Sequence, residues 1–278
     1  MDYFELSNGV KLPKVAFGTW LATKEKGAQN IIDALDNGYR YIDTAAYYEN
    51  EDEIGEAIEK TGINRSELFI ASKVWRTDLG YESTKKSFHE SLGRLKTDYL
   101  DLFLIHWPRA DMTSPDWKVK IQDTWRAMEE LYNEGRIRSI GLSNFMPHHI
   151  MTLMETAKIR PMVNQLELHV GYMQPVAVEY CKKNDILVQA WSPLGRGEIL
   201  GDERILSVAK KYNKPIAQFL LTFLVQQGIA VVVKSSSADR MRINQDVSSF
   251  TISQEDMYYL MCLPQIGWST EHPDMVEG

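Results

Sequence analysis

Residues 98–108 read DYLDLFLIHWP, in which a short apolar run ends directly on a histidine and a tryptophan. The run covers residues 100–105, and runs of about four to eight apolar residues are typical of strands buried on both faces of a parallel sheet. Similar runs recur along the chain, at residues 15–17, 39–42, 68–71, 140–142, 162–165, 187–190 and 230–233. The sequence therefore predicts eight buried strands.

Stretches with the periodicity of amphipathic helices separate these runs, at residues 28–37, 51–60, 83–95, 119–133 and 174–183. Strands that alternate with helices form parallel sheets, and eight such units close into an α/β (β/α)₈ TIM barrel. An open doubly wound sheet would have about five to seven strands. No linker rich in Pro, Ser or Gly interrupts the 278 residues, so we predict one domain over residues 1–278.

Three segments outside this alternation have their own patterns. Residues 3–12 alternate about Asn8-Gly9, which predicts a β-hairpin that plugs the bottom of the barrel. The uncharged run at residues 215–233 divides into a helix ending near Gln226, a turn at Gly228 and a strand at residues 229–233. The tail at residues 265–278 has no periodicity, and we expect a loop that borders the active site.

Composition limits the partners of the protein. The formal charge is −7 with no block of one sign, which argues against nucleic acid and anionic membranes. Residues 1–10 lack the organisation of a secretory signal, so we expect a cytoplasmic protein. Cys181 and Cys262 fit no metal or redox spacing and are interpreted as lone structural thiols.

Active sites of (β/α)₈ barrels lie at the carboxyl ends of the strands. We therefore read the residues at which the predicted strands end. They are polar, titratable or aromatic: Asp43, Lys73, His106, Ser143, Asn144, Gln165, Trp191 and Lys234. These side chains are predicted to share one mouth of the barrel.

The strings around these positions resemble the aldo-keto reductase family. They include GYRYIDTAAYYENE at residues 38–51, LFIASKVW at 68–75 and DYLDLFLIHWP at 98–108. IGLSNF at 140–145, NQLELH at 164–169, AWSPLGRG at 190–197 and KSSSADRMRIN at 234–244 match further family segments. The seven strings follow the family order, and the resemblance extends from the hairpin to about Asn244.

The resemblance implies a catalytic tetrad of Asp43, Tyr48, Lys73 and His106 for the reduction of aldehydes and ketones. Tyr48 would donate a proton to the carbonyl oxygen, and the Lys73 ammonium would favour its phenolate. Asp43 would hold Lys73, while His106 would donate a hydrogen bond to the substrate oxygen. Physical reasoning does not choose between Tyr47 and Tyr48, and the family spacing selects Tyr48.

The same resemblance implies NADPH/NADP⁺ as the cofactor. Ser143, Asn144 and Gln165 would bind the nicotinamide carboxamide, and Trp191, where many relatives have Tyr, would stack on the ring. Further contacts would come from two segments. Those near the pyrophosphate are Ser192, Leu194 and Gly195, and those near the adenosine 2′-phosphate and adenine are Lys234, Ser235, Ser236, Arg240 and Asn244.

Two departures weaken the expected adenine contacts: Ile243 stands where the family often has Glu, and Val233 where Pro commonly precedes the Lys. Gly195, Gly197 and Gly201 follow a strand, but their last spacing is one residue too long for the Rossmann fingerprint. NADPH binding is therefore expected through the family segments only.

Trp20, Trp75 and Trp107 are expected to line an apolar pocket for a small carbonyl substrate, with ordinary packing at the rim as the alternative. The short tail suggests an open pocket with broad tolerance. His148 and His149 are adjacent on a predicted helix start, where neighbours do not share a face. No carboxylate or Cys set accompanies them, so we assign no metal. We expect a monomer.

Two other functions fit parts of this pattern. A nucleotide-sensing member of the same fold, such as a potassium-channel β subunit, would bind the cofactor and turn over slowly. A metal-dependent barrel hydrolase would need a cluster of carboxylates and histidines, for which only His106 and Asp43 are available. The absence of an extra docking segment favours an enzyme.

Overall fold

A computed structural model describes residues 2–275 of the chain. Eight parallel strands close into a barrel in sequence order, with the last strand paired to the first. The barrel strands are β3 (Val15–Gly18), β4 (Tyr41–Asp43), β5 (Phe69–Val74), β6 (Leu102–Ile105), β7 (Ile140–Ser143), β8 (Val163–Glu167), β9 (Leu187–Trp191) and β10 (Ala230–Val233). The predicted (β/α)₈ barrel is confirmed.

The helices surround this barrel. They are α1 (Ala28–Asp36), α2 (Glu51–Thr61), α3 (Tyr81–Leu95), α4 (Trp117–Asn133), α5 (Pro147–Met154), α6 (Pro175–Lys183), α7 (Glu203–Lys211), α8 (Ile216–Gln226), α9 (Ala238–Gln245) and α10 (Gln254–Met261). Residues 216–233 form a buried helix, a turn and a strand, as the sequence predicts. In the described part of the tail, no helix or strand follows Met261.

The predicted hairpin consists of β1 (Tyr3–Glu5) and β2 (Lys11–Pro13), paired antiparallel. Asn8 Nδ2 in its turn donates to the backbone oxygen of Arg138, two residues before β7 begins, at 2.9 Å. Leu6 and Leu12 are buried in the core. The hairpin therefore covers the amino ends of the strands, away from the mouth that carries the polar residues.

Several strand boundaries differ from the prediction. β5 and β8 extend further than expected, so Lys73 and Gln165 lie inside strands rather than at their ends. β6 begins two residues later than expected, directly after Asp101, whose carboxylate is buried. This carboxylate accepts hydrogen bonds from the backbone of Ile70 and from the side chains of Arg65 and Arg138 at 2.7–2.9 Å.

A chain of polar side chains crosses the barrel interior. Tyr41 and Gln189 hydrogen-bond to each other, and Gln165 Nε2 donates to Gln189 Oε1 at 2.9 Å and to Asp43 Oδ2 at 2.7 Å. Buried polar groups are costly unless hydrogen-bonded, and these groups satisfy one another. This chain of hydrogen-bonded side chains therefore links the centre of the barrel to Asp43 at its mouth.

Candidate active site

A cavity of about 950 Å³ opens at the carboxyl ends of the strands. Its wall includes Asp43, Tyr48 and His106 of the predicted tetrad, and all three predicted pocket tryptophans, Trp20, Trp75 and Trp107. Residues predicted to bind the cofactor also line it. They are Ser143, Asn144, Gln165, Trp191, Ser192, Leu194, Lys234 and Arg240.

Lys73 lies beneath this cavity and is fully buried. Its Nζ is 2.6 Å from Asp43 Oδ1 and also donates to the backbone oxygen of Thr44 at 2.8 Å. Burial alone would lower the pKa of Lys73, but the adjacent Asp43 carboxylate raises it above the ordinary value. The ammonium is therefore held charged at the base of the site.

Tyr48 ends a short 3₁₀ turn, Ala46–Tyr48, that follows β4. Its hydroxyl is 3.4 Å from Lys73 Nζ. Tyr47 lines the same cavity but is half exposed and stacks on Trp75, with ring centroids 3.8 Å apart. Of the two tyrosines, the structure thus brings the Tyr48 hydroxyl to the buried ammonium of Lys73.

The proton of Tyr48 is retained at neutral pH. Burial raises the pKa of this phenol above its ordinary value, and the Lys73 ammonium opposes the shift only in part. The protonated hydroxyl therefore faces the cavity with a cation directly behind it. This arrangement suits a group that gives up its proton only when negative charge develops beside it.

His106 follows β6 and lies edge-on to Tyr48, with ring centroids 5.7 Å apart. Burial, followed by the charges of Lys73 and Arg76, holds the pKa of His106 well below its ordinary range. The imidazole is therefore neutral. Its Nδ1 has no hydrogen-bond partner within residues 2–275, so no protein acceptor there holds the ring proton on that nitrogen.

The residues predicted to bind nicotinamide form one hydrogen-bonded group. Asn144 Nδ2 donates to the backbone oxygen of His106 at 3.0 Å, and Trp191 Nε1 donates to Asn144 Oδ1 at 2.8 Å. Ser143 Oγ donates to the backbone oxygen of Gln165 at 3.1 Å. Asn144 is left-handed, with φ of 62°, which turns its side chain back into the site.

The predicted phosphate and adenine contacts are only partly gathered at the cavity. Gly195, Ser235, Ser236 and Asn244 are not part of its wall. Ser235 is buried and its hydroxyl hydrogen-bonds with Ser237 within the turn before α9. Asn244 is buried, and its Oδ1 has no partner among the described residues.

These features fit a nicotinamide dinucleotide. An orphaned buried amide oxygen costs free energy unless a ligand satisfies it, and Asn244 stands where the family resemblance places adenine. Lys234 and Arg240 both line the cavity, and neither forms a salt bridge within the described chain. They would hold phosphate, and the Asn144 group would hold the nicotinamide.

The tail is held across the mouth at three points. Ser269 donates from its backbone N and its hydroxyl to the buried Glu167 carboxylate, at 3.0 and 2.7 Å. Glu271 pairs with Arg196 at 2.9 Å, and Asp274 is bound by His149. Tail residues complete the cavity wall: Thr270, Glu271, His272 and Met275. The described part of the tail therefore borders the site, as expected.

One argument from the sequence was wrong. His148 and His149 do share a carboxylate, because the tail brings Asp274 to them: both Nε2 atoms are 3.0–3.1 Å from Asp274 Oδ1. The three ligand atoms lie within 4.8 Å of one another. Adjacent positions on a helix start can therefore converge when the partner comes from a distant segment.

The protonation of His149 argues against a metal ion at this cluster. The backbone N–H of Met146 donates to His149 Nδ1 at 3.1 Å, so the proton of the neutral ring sits on Nε2 and points to Asp274. A metal on Nε2 would need that nitrogen free of its proton. Through these hydrogen bonds the cluster anchors the tail, and the assignment of no metal stays a prediction.

Several contributors were missed from the sequence. Arg76, Arg196 and Glu271 line the cavity, and Gln189 supports Gln165 from inside the barrel. Their positions follow from loop and strand geometry that no short motif encodes. A signal existed for Arg76 alone, because it directly follows Trp75 at the mouth of β5.

Of the two cysteines, Cys262 is exposed, so the interpretation as a structural thiol holds only for buried Cys181.

The closed barrel with titratable groups gathered at its carboxyl mouth places the protein among the (β/α)₈-barrel enzymes. Comparison with known proteins narrows this class. The model of the aldo/keto reductase family matches residues 14–262. The chain belongs to the aldo-keto reductase family, whose members are oxidoreductases acting on carbonyl compounds.

Individual relatives agree with this assignment. A glyoxal reductase of Bacillus subtilis (strain 168) is 45% identical over 257 residues, covering 92% of this chain and 90% of that protein. An aldo-keto reductase enzyme from a Medee basin deep-sea metagenome library has a TM-score of 0.91 and 39% identity, with 100% of both chains covered. An aldo-keto reductase solved in complex with NADPH has a TM-score of 0.88 and 32% identity, covering 98% of this chain and 90% of that one.

A search of residues 2–275 for membrane-spanning helices finds none with the necessary length and hydropathy.

Proposed function

We propose that this protein reduces small aldehydes and ketones to alcohols with NADPH, and that Tyr48 is the proton donor. The observation that carries the proposal is the placement of the Tyr48 hydroxyl, 3.4 Å from a buried ammonium that is itself paired with Asp43 at 2.6 Å. The relative named glyoxal reductase supports a small carbonyl substrate, and the neighbour solved with NADPH supports the cofactor.

Reduced nicotinamide, when bound, supplies the hydride for the carbonyl carbon. The work of the protein is on the carbonyl oxygen, where negative charge develops as the carbon is reduced. Tyr48 gives its proton to that oxygen, which completes the alcohol and leaves a phenolate. Lys73 stabilises the phenolate at short range, and a positioned general acid contributes typically about 10²- to 10⁴-fold to the rate.

Asp43 and His106 act as positioning groups in this proposal. Asp43 compensates the charge of Lys73, which would otherwise be buried without a partner. Neutral His106 faces the same cavity beside Tyr48 and can donate one hydrogen bond to the substrate oxygen. Such a donor fixes the direction of approach without adding a second charge next to Lys73.

NADPH rather than NADH is proposed because two cationic side chains, Lys234 and Arg240, line the cavity without acidic partners in the described chain. A guanidinium and an ammonium together suit the dianionic 2′-phosphate that distinguishes the two cofactors. Ser143, Asn144, Gln165 and Trp191 would hold the nicotinamide, and Ser192 and Leu194 would cover the pyrophosphate.

The test is the loss of NADPH absorbance with small aldehydes, glyoxal among them, for wild type, Tyr48→Phe and Tyr47→Phe. We expect Tyr48→Phe to lose about 10²-fold or more of kcat, because its ring remains while the proton is gone. Tyr47→Phe keeps the stack on Trp75 and should retain most of its turnover. Equal turnover in both variants would refute Tyr48 as donor, and NADPH binding without turnover would indicate a nucleotide sensor.

A further inference from the structure

Arg76 stands at the carbonyl end of the cavity and has no role in the proposed mechanism. It begins the 3₁₀ turn Arg76–Asp78 directly after β5, and it lines the same cavity as His106. Its guanidinium carbon lies 5.2 Å from the ring centroid of Trp75, whose ring is in turn 5.0 Å from that of His106. The indole ring of Trp75 thus lies between Arg76 and His106, beside the proposed site of proton transfer.

Its guanidinium lacks a protein partner in the described structure. Nη1 of Arg76 is buried and makes no hydrogen bond within residues 2–275. No carboxylate of that part of the chain lies within 4.0 Å of it, whereas Asp43 is paired with Lys73 and Glu271 with Arg196. A buried donor that no acceptor satisfies is costly, so its retention needs a compensating interaction.

The other charged groups of the cavity are already used. Asp43 is bound to Lys73, and Arg196 is bound to Glu271 at 2.9 Å. Lys234 and Arg240 are assigned to the cofactor phosphate in the proposed function. Among the described residues of the cavity wall, Arg76 is therefore the cation that remains beside the carbonyl site, in a chain whose formal charge is −7.

We propose that the preferred substrates are carbonyl compounds that carry a carboxylate, and that Arg76 binds this carboxylate. The inference rests on the proposed carbonyl reduction and specifies its substrate class. A planar guanidinium matches a carboxylate with two parallel hydrogen bonds, which an ammonium cannot reproduce. Trp75, which lines the cavity between Arg76 and His106, would contact the apolar body between the carbonyl and the carboxylate.

Arg76 has no part in proton or hydride transfer under this proposal. It stabilises bound acids relative to uncharged analogues of the same shape. Arg76 should therefore raise kcat/KM for acids and leave kcat/KM for their uncharged analogues unchanged. A hydrogen-bonded charge pair at a partly buried site corresponds to about 10- to 100-fold in affinity. The discriminating quantity is therefore a ratio between an acid and its ester.

The experiment compares 4-oxobutanoate with methyl 4-oxobutanoate, and 4-carboxybenzaldehyde with methyl 4-formylbenzoate. Each pair differs in charge with the carbonyl unchanged in position. We expect wild type to favour the acids, and Arg76→Gln to lower the acid-to-ester ratio of kcat/KM by about 10- to 100-fold. Arg76→Lys keeps the charge but not the planar guanidinium, so its acid-to-ester ratio should lie between those of wild type and Arg76→Gln. It replaces Arg76→Gln as the test variant if that variant folds poorly.

Arg126→Gln is the matched control. Arg126 is an exposed arginine on α4, paired with Asp123 and outside the cavity wall, and its loss changes the net charge equally. An acid-to-ester ratio that falls as much in Arg126→Gln as in Arg76→Gln would show a long-range charge effect only. That result would overturn the proposed site.

A binding measurement separates this inference from the proposed function. Quenching of tryptophan fluorescence by 4-(hydroxymethyl)benzoate and by its methyl ester, with NADP⁺ present, needs no turnover. Reduction of the esters without any Arg76-dependent preference for acids would refute the substrate class and leave carbonyl reduction standing. Arg76-dependent binding of the acid without turnover of any aldehyde would refute the reduction and keep the carboxylate site.

Discussion

The side-chain amide of Gln165 donates a 2.7 Å hydrogen bond to Oδ2 of Asp43, while Lys73 holds Oδ1 of the same carboxylate at 2.6 Å. Asp43 is thus fixed by both of its oxygens, from β8 and from β5. Gln165 was predicted as a contact to the cofactor, and the structure adds a bond to the tetrad. Its Oε1 remains available for a ligand N–H.

Gln165→Glu tests this bond. Two carboxylates in hydrogen-bond contact cannot both ionise, so the folded variant should bind a proton that the unfolded chain releases above about pH 4.3. Its free energy of unfolding should therefore fall as pH rises from 5 to 8, compared with wild type. Urea unfolding at both pH values measures this. Gln165→Leu is the control, and an equal slope in both variants would contradict the contact.

The pH dependence of carbonyl reduction should be flat across neutrality. Burial holds the pKa of His106 well below its usual range and raises that of Tyr48 above its ordinary value, so neither group changes protonation near pH 7. We expect kcat to vary less than about twofold between pH 6 and 8. Steady-state rates with NADPH measure this, and an inflection near pH 6.5 that disappears in His106→Gln would contradict the neutral, buried imidazole.

The choice of cofactor can be tested on one helix. Arg240 and Arg242 are both exposed on α9, but Arg240 lines the cavity while Arg242 lies outside its wall and is paired with Asp239. Arg240→Gln should weaken NADPH binding about 10- to 100-fold and leave NADH binding nearly unchanged, because only NADPH carries the 2′-phosphate. Arg242→Gln should change neither. Fluorescence titration with both cofactors is the measurement, and parallel losses for NADPH and NADH would exclude a phosphate contact.

The tail anchor should respond to acid through His149. Burial, followed by the charge of His148, lowers the pKa of His149 to about 4, whereas the unfolded chain has an ordinary imidazole. The unfolded state therefore binds more protons between about pH 6.5 and 4, and stability falls as pH drops through this window. The His149 shift can lower the free energy of unfolding by at most about 3 kcal/mol across this window, at 1.36 kcal/mol per pKa unit.

Thermal unfolding at pH 4.5 and 7.5 measures this contribution. In His149→Gln, the decrease in stability between pH 7.5 and pH 4.5 should be smaller than in wild type, because the contribution of His149 is gone. His148→Gln should keep most of it, because that ring is half exposed and burial is the main cause of the His149 shift. Identical slopes in wild type and His149→Gln would mean that His149 is not held neutral by the fold.

The fold was predictable because its signals are local. Eight apolar runs separated by helical periodicity encode a parallel barrel, and Asn8-Gly9 encodes the hairpin. Strand ends were less accurate, since β6 begins only after the buried Asp101, whose carboxylate accepts from the backbone of Ile70, and Lys73 continues a strand beyond the apolar run. Both cases depend on partners more than 25 residues away.

The candidate site was predictable where residues follow strands and not where loops return to them. Asp43, Tyr48 and His106 reach the cavity as expected from the family strings, with Lys73 directly behind them. The convergence of Asp274 on His149 was not foreseen, because 125 positions separate the two. Neither helical periodicity nor motif spacing carries information over that distance.

Closure of the barrel by β10 against β3 has a consequence for synthesis. Val231 pairs with Val15, so the first barrel strand leaves the ribosome long before its second neighbour exists. Until residues 230–233 emerge, the nascent sheet has two open edges, and unpaired edges recruit other chains. Translation that stalls or stops before Ala230 therefore yields a product prone to self-association, whatever the stability of the finished enzyme.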